Sequence, residues 1–129
     1  MRNKLSKILS FLLLIVVLAN CKQQEKRQLV KDQLLGDWIE VNKGECDNFT
    51  DSLSFIDNST FAIRIKTMDS KKAFRYDIDD NMLVLFYQNS QMSWVEASRY
   101  PFRFEKEKLI INRLYGEQNL PVVFKKIHN

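Results

Sequence analysis

The chain is poor in the residues from which catalytic and metal centres are built. Its single histidine, His128, stands next to the last residue, a position where strands fray and a general-base or metal role is not expected. The three glycines, Gly36, Gly44 and Gly116, are isolated from one another, which excludes a glycine-rich phosphate loop. There are two cysteines, Cys21 and Cys46, and no grouping of His, Cys and carboxylates has metal-ligand spacing. Asp79-Asp80 could suggest paired carboxylates. Beside Asn81 and between two apolar segments, the pair reads as a turn. The expectation is a protein that is not an enzyme, with no cofactor and no metal.

Positive charge is also scarcer than the totals suggest. Arg2, Lys4 and Lys7 make a basic start, and an apolar run follows from Ile8 to Ala19, interrupted by Ser10. A basic opening, a short apolar run and a small-residue exit are the marks of a secretory signal, and the run itself is too short to span a bilayer. Three of the 20 basic residues and none of the 16 acidic ones fall in residues 1–20, which leaves 17 against 16 in the remainder. The sequence pI of about 9.1 therefore belongs largely to the leader. No nucleic-acid affinity is expected from it.

The leader ends in Leu18-Ala19-Asn20-Cys21, which resembles a bacterial lipoprotein lipobox. The resemblance implies cleavage after residue 20, acyl chains such as palmitate on Cys21, and a lipid anchor in the cell envelope, in the outer membrane if the cell has one. Asn20 departs from the usual Gly, Ala or Ser. With Cys21 acylated, Cys46 is left as the one thiol, so no internal disulfide can form. Cys46 lies in Lys43-Gly44-Glu45-Cys46-Asp47-Asn48, a polar stretch with no base beside it, and reads as a loop thiol.

Residues 22–27 are polar and read as a solvated tether between the anchor and a single domain over 28–127. Gln28 to Leu35 is expected to form a brief helix with Leu29, Val30, Leu34 and Leu35 near one side, ended by Gly36. From Asp37 the period changes to two. Strands are expected at 37–41, 52–55, 61–66, 74–78, 82–87, 94–105, 109–114 and 122–127. Met82 to Tyr87 is apolar throughout and should be covered on both faces. Pro101 cannot donate to a ladder, so it is expected to mark an edge or bulge and to split its strand. Arg64, Lys66, Arg75, Arg99 and Arg103 fall opposite the apolar set, as a solvated outer face would. Eight strands with short links and no helical crossover predict an all-β, antiparallel up-and-down barrel. Its interior would hold side chains or one small ligand.

Leu34-Leu35-Gly36-Asp37-Trp38 resembles the opening of lipocalin-like domains, in which Gly-x-Trp starts the first strand after a short helix that closes one barrel end. The resemblance spans residues 28–127 and carries over Gly36 and Trp38. It implies that the tryptophan packs at the barrel base under a basic side chain from a late strand. Arg113 is the candidate for that side chain, with Lys125 the weaker one.

Two functions remain open at this stage. One is a lipid-anchored, non-enzymatic interaction module with a filled core. The other is a carrier that binds a small apolar ligand inside the barrel. Phe55, Phe61, Phe74, Tyr76, Phe102 and Phe104 all fall on the apolar side of their strands. Rings of that size would fill much of an eight-stranded barrel, which favours the interaction module.

Overall fold

The computed structural model describes residues 2–41, 52–64, 71–114 and 121–128. A helix, α1 (Arg2–Leu34), precedes eight strands: β1 (Gly36–Glu40), β2 (Ser52–Phe55), β3 (Thr60–Arg64), β4 (Lys71–Asp79), β5 (Met82–Gln88), β6 (Trp94–Glu105), β7 (Lys108–Asn112) and β8 (Pro121–Lys126). Each strand pairs antiparallel with the next, and β8 returns to β1 through Trp38↔Lys126, Ile39↔Lys125 and Glu40↔Phe124. The meander is therefore a closed eight-stranded barrel without a free edge.

Period two decides what lies inside. Alternate residues of each strand point inward, so Leu53 and Phe55, Tyr76 and Ile78, Leu109 and Ile111, and Val122 and Phe124 meet in one core with Leu34 of the helix. The intervening residues point out. Val84 is buried on the outer face, in register between Asp77 and Arg99, whereas Tyr87 near the end of the same strand is exposed. Double-sided cover thus holds for the middle of β5 and not for its end.

The turns follow from local chemistry. Asp57 accepts from the backbone N–H groups of Ser59 and Thr60, each at 2.7 Å, which closes the β2–β3 connection as an Asx turn. Asp80 and Lys106 take positive φ (53° and 55°) in two-residue hairpins, and Asp79-Asp80-Asn81 is indeed a turn. β1, β3, β5 and β7 all run away from the helix and β2, β4, β6 and β8 return toward it. The barrel therefore has a helix-bearing base and an opposite end, where the described connection is the β5–β6 turn.

Two expectations are corrected. Residues 22–27 are helical, and α1 runs unbroken from Arg2 rather than starting at Gln28; Lys, Gln, Glu and Arg are good helix formers, and no Gly or Pro interrupts them. Pro101 does not split β6. It pairs with Met82, the first residue of β5, at the point along β6 where the β5 ladder ends, and the β7 ladder begins one residue later at Phe102, so its missing N–H falls where one ladder gives way to the other. The irregularity lies instead between Leu85 and Phe86, where Ala97 is the extra residue of the facing strand.

Candidate functional site

The barrel base is assembled where α1 passes into β1. The last helical bond runs from Leu35 N–H to the Lys31 carbonyl at 3.1 Å. Gly36 then takes φ +117°, a conformation open to a residue without Cβ, and this turns the chain into β1. A Cβ there would sit 3.1 Å from Lys126 Cε. Trp38 enters the base 2% exposed and its Nε1–H donates to the Leu34 carbonyl at 2.8 Å. Lys126 Nζ donates to the Gln33 carbonyl at 3.1 Å and lies 5.4 Å from the Trp38 ring centroid. Two side chains thus satisfy two carbonyls that a helix end leaves unpaired. The ammonium also faces the negative end of the helix dipole and the face of an aromatic ring.

The basic group over Trp38 is therefore Lys126, not Arg113 and not Lys125. Lys125 is exposed and pairs with the outward Ile39. Arg113 follows the end of β7, a strand that starts level with Lys125 and runs away from the base, so alternation alone places it inward but at the wrong end. Lys126 carried a usable signal: it shares a face with Val122 and Phe124 and is the one cation on the inward side of β8.

Above this base the interior is crowded with rings. Phe55 lies 4.8 Å from Phe61 and edge-on to Tyr76 at 5.2 Å, and Phe102 meets Phe104 edge-on at 5.9 Å. Phe74 and Phe104 are partly buried against the same cluster. Three recesses formed by described residues all involve α1, and none is lined by Phe55, Phe61, Phe102 or Phe124. One, of about 300 Å³, lies between Lys31, Asp77, Phe86 and Trp94. A second, of about 320 Å³, lies between residues 22–30 of the helix and the β4–β5 turn. The third, of about 230 Å³, opens beside Trp38, Lys126 and His128.

The helix is clamped to the wall by charge as well as packing. Lys31 Nζ lies 2.9 Å from Asp77 and is largely buried, and 5.6 Å from the Tyr76 ring centroid. Partial burial works against ionisation of Asp77, but hydrogen bonds from Lys31 and the Ile78 N–H, with Arg27 nearby, overcome it and lower its pKa. Burial pushes the Tyr76 phenol up to about 12, and Asp57, Asp77 and Asp32 add to the shift; its hydroxyl donates to the Asp57 carbonyl at 3.0 Å. The outer cations are solvated or paired. Arg99 forks between Glu96 and Asp79, Arg103 bonds Glu105, and Arg75 stacks on Trp94 at 5.8 Å. Arg64 is exposed, and Lys66 lies outside the described residues.

Cys21 is exposed on α1, whose apolar stretch is open to solvent, with Ile8, Phe11, Leu12 and Leu18 each more than half exposed. By length and composition the helix could cross a membrane, a test that a signal sequence also passes. Cys46 lies outside the described residues. His128 is exposed just beyond β8, and no group of three or more His, Cys, Asp or Glu among the described residues could hold a metal ion. No known family model, curated protein or solved structure matches the chain.

Proposed function

We propose that this chain is the precursor of a lipid-anchored envelope lipoprotein whose lipocalin-like barrel serves as a non-enzymatic interaction module. The leader is removed before Cys21, the thiol is acylated, and α1 from residue 21 onward joins the anchor to the barrel base. The observation that carries the reading is the ring-packed interior built from Phe55, Phe61, Tyr76 and Phe102. A barrel filled in this way offers its outer surface rather than its lumen. The exposed apolar residues Tyr87, Met92 and Val95 around the β5–β6 turn supply a contact surface at the end away from the helix, since clustered exposed apolar groups mark interaction sites.

The anchor is tested by expressing the full chain and Cys21→Ser with an alkyne-tagged palmitate and recording intact masses. The wild type should take up label, lose residues 1–20 and fractionate with membranes, while the variant should carry no label and lose membrane retention. An unlabelled chain of 129 residues held in membranes would contradict the reading, because it would mean an uncleaved helical anchor.

A further inference from the structure

The recess between α1 and the β4–β5 turn is lined by Lys22, Gln23, Lys26, Arg27, Val30, Ile78 and Asp80. Three cations face one carboxylate there. Lys26 and Asp80 stand 3.9 Å apart with both side chains well exposed, so solvent weakens that pair. Arg27 Nε is buried and has no hydrogen-bond partner among the described residues, a donor that a buried site normally satisfies. Val30 and Ile78 give the recess an apolar floor. Its place in the chain supplies the remaining constraint. Lys22 follows Cys21 directly, and Arg27 is six residues further on, about 9 Å along a helix. An acyl chain on Cys21 would hold all three cations within about one Debye length of the bilayer surface.

We propose that this recess is a binding site for the phosphate headgroup of an anionic phospholipid in the membrane that carries the anchor. The proposal rests on the lipoprotein reading. Lys22 and Lys26 draw the phosphate in, Arg27 turns its unpartnered Nε–H out to one of its oxygens, and the glycerol carbons lie against Val30 and Ile78. A single cation near an anionic surface raises affinity by a factor of about five. Asp80 offsets one of the three, and the remaining two give about a 25-fold preference for an anionic over a zwitterionic headgroup. The bound headgroup is a second attachment beside the acyl anchor, which fixes the side of the helix turned to the membrane and hence the direction in which the barrel projects.

The test uses the full protein extracted from membranes in a nonionic detergent, titrated with dihexanoyl-phosphatidylglycerol, dihexanoyl-phosphatidylcholine and inorganic phosphate, with native mass spectrometry as the readout. The glycerol lipid should be retained at least tenfold more tightly than the choline lipid. Lys22→Gln/Lys26→Gln/Arg27→Gln should abolish that preference, whereas Arg103→Gln, on the outer face of β6, should leave it unchanged. Arg27→Lys should lose several-fold, because it keeps the charge without the Nε donor. Equal retention of the two lipids, an unchanged triple variant, or inorganic phosphate held as tightly as the lipid would overturn the proposal. The same spectra report the mass at Cys21, so the two readings fail separately: headgroup preference on an unmodified Cys21 supports the site and removes only the anchor.

Discussion

Truncating Trp38 to alanine should be among the most damaging single changes in the domain. The ring is 2% exposed, its Nε1–H is bound to the Leu34 carbonyl, and Phe104 lies 6.3 Å away across the base. Removing a buried aromatic of this size costs about 3–5 kcal/mol. A domain of this length has about 5–15 kcal/mol in total, so the loss is a large share of its stability. With a urea slope of about 1.5 kcal/mol per molar, the midpoint should fall by about 2–3 M. Trp38→Phe keeps most of the ring but not the donor, and should cost about 1–2 kcal/mol by the lost hydrogen bond and the small void. Trp94 is the internal control. It is 47% exposed, and with its cation–π contact Trp94→Ala should cost about 1 kcal/mol or less. Far-UV circular dichroism is the appropriate probe, because the substitutions alter fluorescence. A Trp38→Ala midpoint within about 0.5 M of wild type, less than 1 kcal/mol at that slope, would refute the idea that the ring seals the base.

Two further outcomes follow from the same geometry. Gly36→Ala must hold φ +117° with its Cβ 3.1 Å from Lys126 Cε, and should cost about 1–3 kcal/mol, read as a lower melting midpoint. Tyr76 has its folded pKa raised from 10.0 to about 12. Its contribution is therefore fully present below pH 10 and is lost as pH rises toward 12, so stability should fall through that window. Tyr76→Phe should be less stable at neutral pH, for want of the bond to Asp57, and should show a flatter decline between pH 10 and 12.

The barrel was legible in the sequence because its signals are local. Alternation in Phe74-Arg75-Tyr76-Asp77-Ile78 and the turn residues Asp79-Asp80-Asn81 each specify their own segment, and short links leave antiparallel pairing as the simple outcome. The helix start was not legible, since Lys-Gln-Gln-Glu-Lys-Arg suits a solvated tether and a helix equally well. The cation over Trp38 was legible only in part, from the inward face of β8. Arg113 and Lys126 both satisfy alternation, and the choice between them depends on which strand end returns to the helix, which is set by closure around the whole barrel. The orphaned Arg27 donor and the Lys31–Asp77 clamp were hidden for the same reason. They lie between a helix and a strand more than forty residues apart, and no short motif marks such a pair.

The central claim is that the barrel interior is occupied by its own side chains, so that the protein acts through its surface. Titration of the purified, processed protein with a fluorescent fatty acid tests this most directly, with Phe61→Ala measured alongside. The wild type should show no saturable binding. Phe61→Ala, which removes a fully buried ring, should be less stable by about 3–5 kcal/mol and should acquire affinity for a small apolar guest such as benzene. Stoichiometric binding of the fatty acid by the wild type at micromolar concentration would contradict the account and make the protein a carrier.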